Sequence, residues 1–193
     1  MRKITIKTIE GRRKGMGSKG TKLPNIIKIV VLWFIVFSNS EVSAETEVPQ
    51  NFGAKGALRD SSITLDEALT YAIQDEYLAQ ARYDTIIAKF GSIRPFTQIK
   101  SAEQRHISAL LTLFKKYNVK IPEDNAKQYT KEPASLKEAF QAGVEGEIDN
   151  IAMYKKLTSI PELPQDVKAV MKQLGDASQN HLAAFKRGLS QYQ

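Results

Sequence analysis

SAEQRHISAL, residues 101–110, places a carboxylate and an imidazole three positions apart, at Glu103 and His106. Residues with this spacing project from the same face of a helix, and the rest of that face is apolar. DASQNHLAAF, residues 176–185, contains the second histidine of the chain, His181. When the two stretches are aligned on their histidines, they also share one glutamine and two alanines. Two related helices are therefore predicted to direct a histidine into the core.

Apolar residues recur at intervals of three and four in four segments, which predicts four amphipathic helices. The first helix is expected between Thr64, which begins a capping-box pattern, and Gly91. The second follows the turn GSIRPF. A second capping-box pattern at Ser135 begins the third, and the fourth is expected to have Pro164 in its first turn.

A long connection joins helices 2 and 3, because residues 118–133 lack a helical period and contain two prolines. The loops after helices 1 and 3 are short by comparison. Four helices with one long crossover between helices 2 and 3 form the all-α, ferritin-like four-helix bundle. We expect this bundle to comprise residues 64–191, preceded by a flexible lead-in at 45–63.

The two halves of the bundle repeat one pattern. Glu76 and Tyr83 lie seven residues apart in helix 1, and Glu147 and Tyr154 lie seven apart in helix 3. Each of these helices precedes one that carries an inward histidine. The chain is therefore predicted to be a duplicated helical hairpin.

Residues 1–44 are typical of a secretory signal peptide. The first 28 residues contain nine basic residues and one acidic residue, and an apolar run at 29–37 follows them. Small residues then precede an expected cleavage site after Ala44. The run is shorter than the roughly 20 residues that span a bilayer, so a permanent membrane anchor is the less favoured alternative. Met16 is an alternative start that would give a signal of more ordinary length.

Cleavage after Ala44 leaves 19 basic and 19 acidic residues, so the formal charge of +7 does not indicate nucleic-acid binding. The expected location of the mature protein is extracytoplasmic, either secreted or periplasmic. The sequence contains no cysteine, which excludes disulfides, thiolate metal sites and thiol nucleophiles. Any chemistry must come from carboxylates, imidazoles, hydroxyls or a bound cofactor.

Three glutamates and two histidines occupy predicted core positions: Glu76, Glu103, His106, Glu147 and His181. Burying unpaired carboxylates is costly, and carboxylates that face one another also repel. Two divalent cations would compensate this charge while the histidines bind as neutral imidazoles. Bundles hold pairs of iron or manganese ions with glutamate–histidine motifs of this spacing. The simpler alternative is that each histidine is a hydrogen-bonded core residue.

Three stretches resemble the rubrerythrin-related branch of the ferritin-like superfamily: QDEYLAQARY, AEQRHISALLTLF and GVEGEIDNIAMY. Over residues 64–190, order and spacing are similar to those of an uncharacterised family, a domain of unknown function, within that superfamily. The resemblance implies a non-haem centre of two iron ions, or of iron and manganese. It also implies that the five residues named above occupy ligand positions.

One ligand position departs from the family pattern. Ser178 stands three residues before His181, where a second glutamate is expected. Three carboxylates leave two dications with a net positive charge. An exogenous anion fills the position, or Asn150 contributes, or the second metal binds weakly.

The leading hypothesis for function is an oxidoreductase that acts on peroxide or oxygen, with ferrous iron as one electron source. The chain lacks the Cys-x-x-Cys pairs of a rubredoxin domain, so any other electron donor must be external. Tyr83 and Tyr154 are either core aromatics with a hydrogen-bond partner or residues that support the metal ligands or electron transfer. The alternative is a secreted, non-catalytic metal-binding or structural bundle. A homodimer is one assembly compatible with either hypothesis.

Overall fold

A computed structural model describes residues 47–192. Its helices are α1 Gly53–Arg59, α2 Leu65–Phe90, α3 Phe96–Lys116, α4 Leu136–Thr158 and α5 Gln165–Leu189, with 3₁₀ turns at Ala126–Tyr129 and Ser190–Tyr192. The described residues contain no strand, which confirms the all-α class. None of their helices has the length and apolar character needed to cross a bilayer. The predicted signal peptide lies outside the described residues.

The ends of α2 follow the capping chemistry predicted from the sequence. The Thr64 side chain accepts a hydrogen bond from the Glu67 N–H (3.3 Å), and the Glu67 carboxylate accepts one from the Thr64 N–H (2.8 Å). This reciprocal pair satisfies two backbone donors at the start of the helix. Gly91 ends the helix with a φ of +84°, a conformation that favours glycine.

The starts of α4 and α5 differ slightly from the predictions. Ser135 accepts from the Glu138 N–H (3.2 Å), but the Glu138 carboxylate accepts from the Ala134 N–H (2.8 Å), so only half of the second capping box forms. Pro164 precedes the first turn of α5 instead of lying within it. Its carbonyl accepts the Lys168 N–H (3.0 Å), and the helix begins at the next residue, Gln165.

Most buried side chains of the four long helices form three successive layers along the bundle. An apolar cluster at one end includes Leu69, Phe114 and Met171. A second apolar cluster, which includes Phe96 and Phe185, lies at the other end of the bundle. The buried polar residues of all four long helices fall between these clusters in sequence position. The fold therefore encloses a polar layer between two apolar ones.

Helix α1 corrects the prediction of a flexible lead-in. Gly53–Arg59 is helical and packs against α2 and α4, with its alanines buried. The Gly53 and Ala54 N–H groups donate to the side chains of Gln74 (3.1 Å) and Asp75 (3.0 Å). At the other end, the Lys156 ammonium donates to the carbonyls of Leu58 (3.2 Å) and Asp60 (2.5 Å). Side chains of the bundle thus satisfy backbone groups at both ends of α1.

Candidate metal centre

The polar layer brings together the five predicted ligand residues from all four long helices. Glu76 comes from α2, Glu103 and His106 from α3, Glu147 from α4 and His181 from α5. Each of these residues is at most 8% exposed. The layer therefore holds three carboxylates and two imidazoles away from bulk water.

Glu103 faces both histidines. Its Oε2 lies 2.8 Å from His106 Nδ1, and its Oε1 lies 3.2 Å from His181 Nδ1. Glu76 Oε2 lies 3.2 Å from His106 Nδ1, and Glu147 Oε1 lies 3.5 Å from His181 Nδ1. The centre thus consists of two three-residue groups that share Glu103, and the ligand atoms within each group lie within 4.8 Å of one another.

These distances fit metal coordination. Two ligand atoms about 2.1 Å from one octahedral cation are about 3 Å apart along an edge of the octahedron. The Nδ1 atom of His181 is buried and makes no hydrogen bond within the described residues. Carboxylate oxygens and imidazole nitrogens are donors that iron and manganese accept. The five residues therefore fit a pair of such ions, with Glu103 between them.

The pKa values within the cluster reflect its burial and its opposed charges. Burial raises the pKa of Glu76 to about 7, and the charge of Glu103 adds to the effect. Burial also raises the pKa of Glu147. Burial lowers the pKa of His106 and His181, but their carboxylate neighbours outweigh it and raise the pKa values to about 10 and about 9. Protons on the imidazoles can therefore compensate the carboxylates when metal is absent, and metal binding must displace them.

Two buried tyrosines donate hydrogen bonds to Glu147 and Glu76, the two carboxylates that each belong to only one ligand group. The Tyr83 hydroxyl of α2 donates to Glu147 Oε1 of α4 (2.8 Å), and the Tyr154 hydroxyl of α4 donates to Glu76 Oε1 of α2 (2.5 Å). This reciprocal arrangement follows the sequence repeat. Burial raises the pKa of both tyrosines well above 10, so both remain hydrogen-bond donors. Partners of this kind fix the orientation of metal-binding carboxylates.

Asn150 occupies the space beside Ser178. The Ser178 hydroxyl lies 2.6 Å from Asn150 Oδ1 and 3.0 Å from the Leu174 carbonyl, either of which can accept its proton. The Asn150 amide donates to Asp75 Oδ2 (2.9 Å) and lies 3.5 Å from Glu76 Oε1. The Asn150 side chain thus connects Ser178 to Asp75, and the choice among the three alternatives for the position of Ser178 stays a prediction.

Sequence reasoning missed Asp75. One of its carboxylate oxygens accepts from the Ala54 N–H of α1 and the other from Asn150. Burial raises its pKa to about 6, although both hydrogen bonds oppose the shift. Asp75 directly precedes Glu76, and this was the one sequence signal that pointed to it. Its role depends on helix α1, which was not predicted from the sequence.

A model of the family described as Rubrerythrin matches residues 67–189. This chain belongs to the rubrerythrin family. The match covers α3, α4 and α5 and all of α2 but its first residues, and it includes the five residues of the centre. Membership confirms the ferritin-like fold and the resemblance found in the sequence.

Both comparisons with individual proteins point to one archaeal relative. The chain is 28% identical over 140 residues to the uncharacterised protein MJ0754 of Methanocaldococcus jannaschii, covering 65% of this chain and 75% of the relative. It is also similar to the crystal structure of the hypothetical protein MJ0754, with a TM-score of 0.58 and 25% identity over 76% of this chain and 87% of that one. Neither name specifies an activity, so the family rather than the relative informs the function.

The Ser178→Glu variant tests whether position 178 faces the metals. A fourth carboxylate would neutralise the remaining charge of two dications, so we expect tighter binding of the second ion and weaker binding of azide. An azide titration of the iron-loaded protein, followed by its visible charge-transfer band, measures the second effect. Ser178→Ala is the control, since it removes the hydrogen bond to Asn150 without adding charge. Equal metal content and azide affinity in wild type and Ser178→Glu would contradict the placement.

Proposed function

We propose that this protein is an extracytoplasmic oxidoreductase with a dinuclear iron, or mixed iron and manganese, centre that reduces peroxide or oxygen. The observation that carries the proposal is the position of Glu103 between His106 and His181, at 2.8 and 3.2 Å. One carboxylate shared by two groups of possible ligands is an arrangement that would suit two adjacent cations.

Two adjacent metal ions suit a two-electron reaction. When bound, two ferrous ions supply the two electrons that, with two protons, reduce hydrogen peroxide to two water molecules. The five buried residues would hold the ions, and the hydroxyls of Tyr83 and Tyr154 fix the carboxylates of Glu147 and Glu76 by donating hydrogen bonds to them. The apolar clusters on either side exclude water and so strengthen the electrostatic interactions within the layer.

The reductant and the location are inferred from the sequence. Because the chain has no cysteine, it has no thiolate-bound centre that could deliver electrons, and we propose ferrous iron or a separate donor protein. The extracytoplasmic location rests on residues 1–44, which have the pattern of a signal peptide. N-terminal sequencing of the exported protein would give Glu45 as its first residue if cleavage follows Ala44.

Peroxide consumption by the ferrous-loaded protein tests the proposed activity. We expect one peroxide to be consumed for every two ferrous ions oxidised, faster than with the same amount of free ferrous iron and without trapped hydroxyl radicals. Glu103→Ala should lose this advantage. Wild-type protein that binds iron but oxidises it no faster than free iron would contradict the proposal.

That contradictory result would favour a second function, a metal-binding bundle without turnover. The observation in its favour is the Ser178–Asn150 pair, which puts neutral groups where a fourth carboxylate is expected. Such a protein would retain its metals while peroxide consumption stays at the rate of free iron.

A further inference from the structure

A narrow cleft between α2 and α4 leads to the carboxylates of the centre. Glu103, Glu147 and Asn150 lie among the residues that line it, together with Arg82 and Gly146. Its volume of about 20 Å³ is close to that of a single water site. The cleft therefore admits only small molecules to the buried ligands.

A wider surface cleft of about 320 Å³ adjoins the narrow one. The two clefts share Arg82, Ile86, Ala142 and Gly146, so the shared residues form the mouth between solvent and the centre. The surface cleft is lined by three basic residues, Lys55, Arg82 and Lys131, and three acidic ones, Glu138, Glu145 and Asp149. Without Arg82, which also lines the mouth, the acidic residues of the surface cleft outnumber the basic ones, so an attraction for anions must come from Arg82.

Arg82 is the basic residue at this mouth. Its side chain is half-buried, and among residues 47–192 its guanidinium makes no hydrogen bond or ion pair. Nη1 lies 3.2 Å from the position that a Cβ on Gly146 would occupy, so the guanidinium rests beside a residue that has no side chain. The neighbouring carboxylate of Asp75 already accepts hydrogen bonds on both oxygens. The charge of Arg82 lowers the pKa of Asp75, but its guanidinium forms no hydrogen bond with that carboxylate, so its N–H donors remain available to a molecule that enters the cleft.

We propose that this mouth is the entry route for small anions, with Arg82 as the residue that binds and draws them in. The inference rests on the proposed function, since it concerns access to the same centre: beside neutral peroxide and oxygen, the mouth would admit monovalent anions of the size of azide or superoxide. The positive charge of Arg82 repels ferrous ions at the same mouth. Removing this charge should therefore slow the entry of anions but not the entry of ferrous ions.

The rate of azide binding to the iron-loaded protein tests the inference. Removing the charge in Arg82→Gln should slow azide association by about tenfold at low salt, and high salt should reduce the difference because it screens the attraction. Arg82→Lys retains the charge and should recover most of the rate. Arg187→Gln, an exposed change on α5, removes the same charge away from the mouth and should leave the rate unchanged.

Two further measurements separate charge from shape. Neutral nitric oxide should bind the ferrous protein as fast in Arg82→Gln as in wild type, and ferrous loading should be as fast or faster. Iron content equal to that of wild type shows that the variants are folded. An unchanged azide rate in Arg82→Gln, or equal slowing of azide and nitric oxide, would overturn the inference and leave the proposed function standing. A wild type that takes up no iron would instead overturn the proposed function, and this inference with it.

Discussion

Glu103→Ala is expected to lose both metal ions, whereas Glu147→Ala is expected to retain one. The difference follows from the contacts, because Glu103 faces His106 and His181 while Glu147 faces only His181. Loss of groups that merely support a ligand reduces metal affinity about 10- to 100-fold, so loss of a shared ligand should exceed that range. Elemental analysis after anaerobic loading and desalting measures the metal content.

Glu145→Ala is the matched control for these variants. Glu145 is an exposed carboxylate on the same helix as Glu147, two residues away, and should not affect metal content. If Glu103→Ala kept close to two ions per chain, the shared-ligand arrangement would be wrong. If Glu147→Ala lost both ions, the two groups would not bind independently.

Metal removal is expected to lower the melting temperature, and the loss should grow as pH rises from 6 to 9. The folded-state pKa values of His106 and His181, about 10 and about 9, lie above the ordinary value of 6.5. Their protonation therefore stabilises the metal-free protein fully below pH 6.5, and this stability is lost as pH rises towards 10. The pKa of Glu76, raised to about 7, acts in the same direction because ionising this buried carboxyl is costly.

Metal affinity should depend on pH in the opposite direction to the stability of the metal-free protein. Because binding displaces protons from the imidazoles, metal affinity increases over the same range. At a metal concentration 1,000 times the dissociation constant, one bound ion stabilises the fold by about 4 kcal/mol, which corresponds to on the order of 10 °C in melting temperature. Thermal unfolding of both forms at pH 6 and pH 9 measures the change. Metal-free protein that is equally stable at both pH values would contradict the charge compensation by protons.

The sequence was sufficient for the four long helices and for the burial of the five acidic and imidazole residues between them. Periods of three and four over more than 20 residues identify a helix whatever its neighbours are. Acidic and imidazole groups at inward positions stand out because burial penalises them. The repeat added a second, independent indication, since Glu76–Tyr83 and Glu147–Tyr154 have equal spacing.

Helix α1 and its contacts were beyond sequence reasoning. GAKGALR is too short to show a helical period and contains two glycines. Gly56 is required by packing, because a Cβ there would lie 2.6 Å from the Asn51 backbone and from the Tyr71 ring. The groups that satisfy the ends of this helix come from distant positions, Gln74, Asp75 and Lys156. The link from α1 through Asp75 to Asn150 was missed for the same reason, since it depends on tertiary contacts.

Anomalous diffraction from a crystal loaded with ferrous or manganous ions would test the dinuclear centre most directly. The account predicts two anomalous peaks in the polar layer, one among Glu76, Glu103 and His106 and the other among Glu103, Glu147 and His181. It also predicts that Glu103 contacts both peaks. A single peak, or a polar layer without any peak at full loading, would contradict the dinuclear centre.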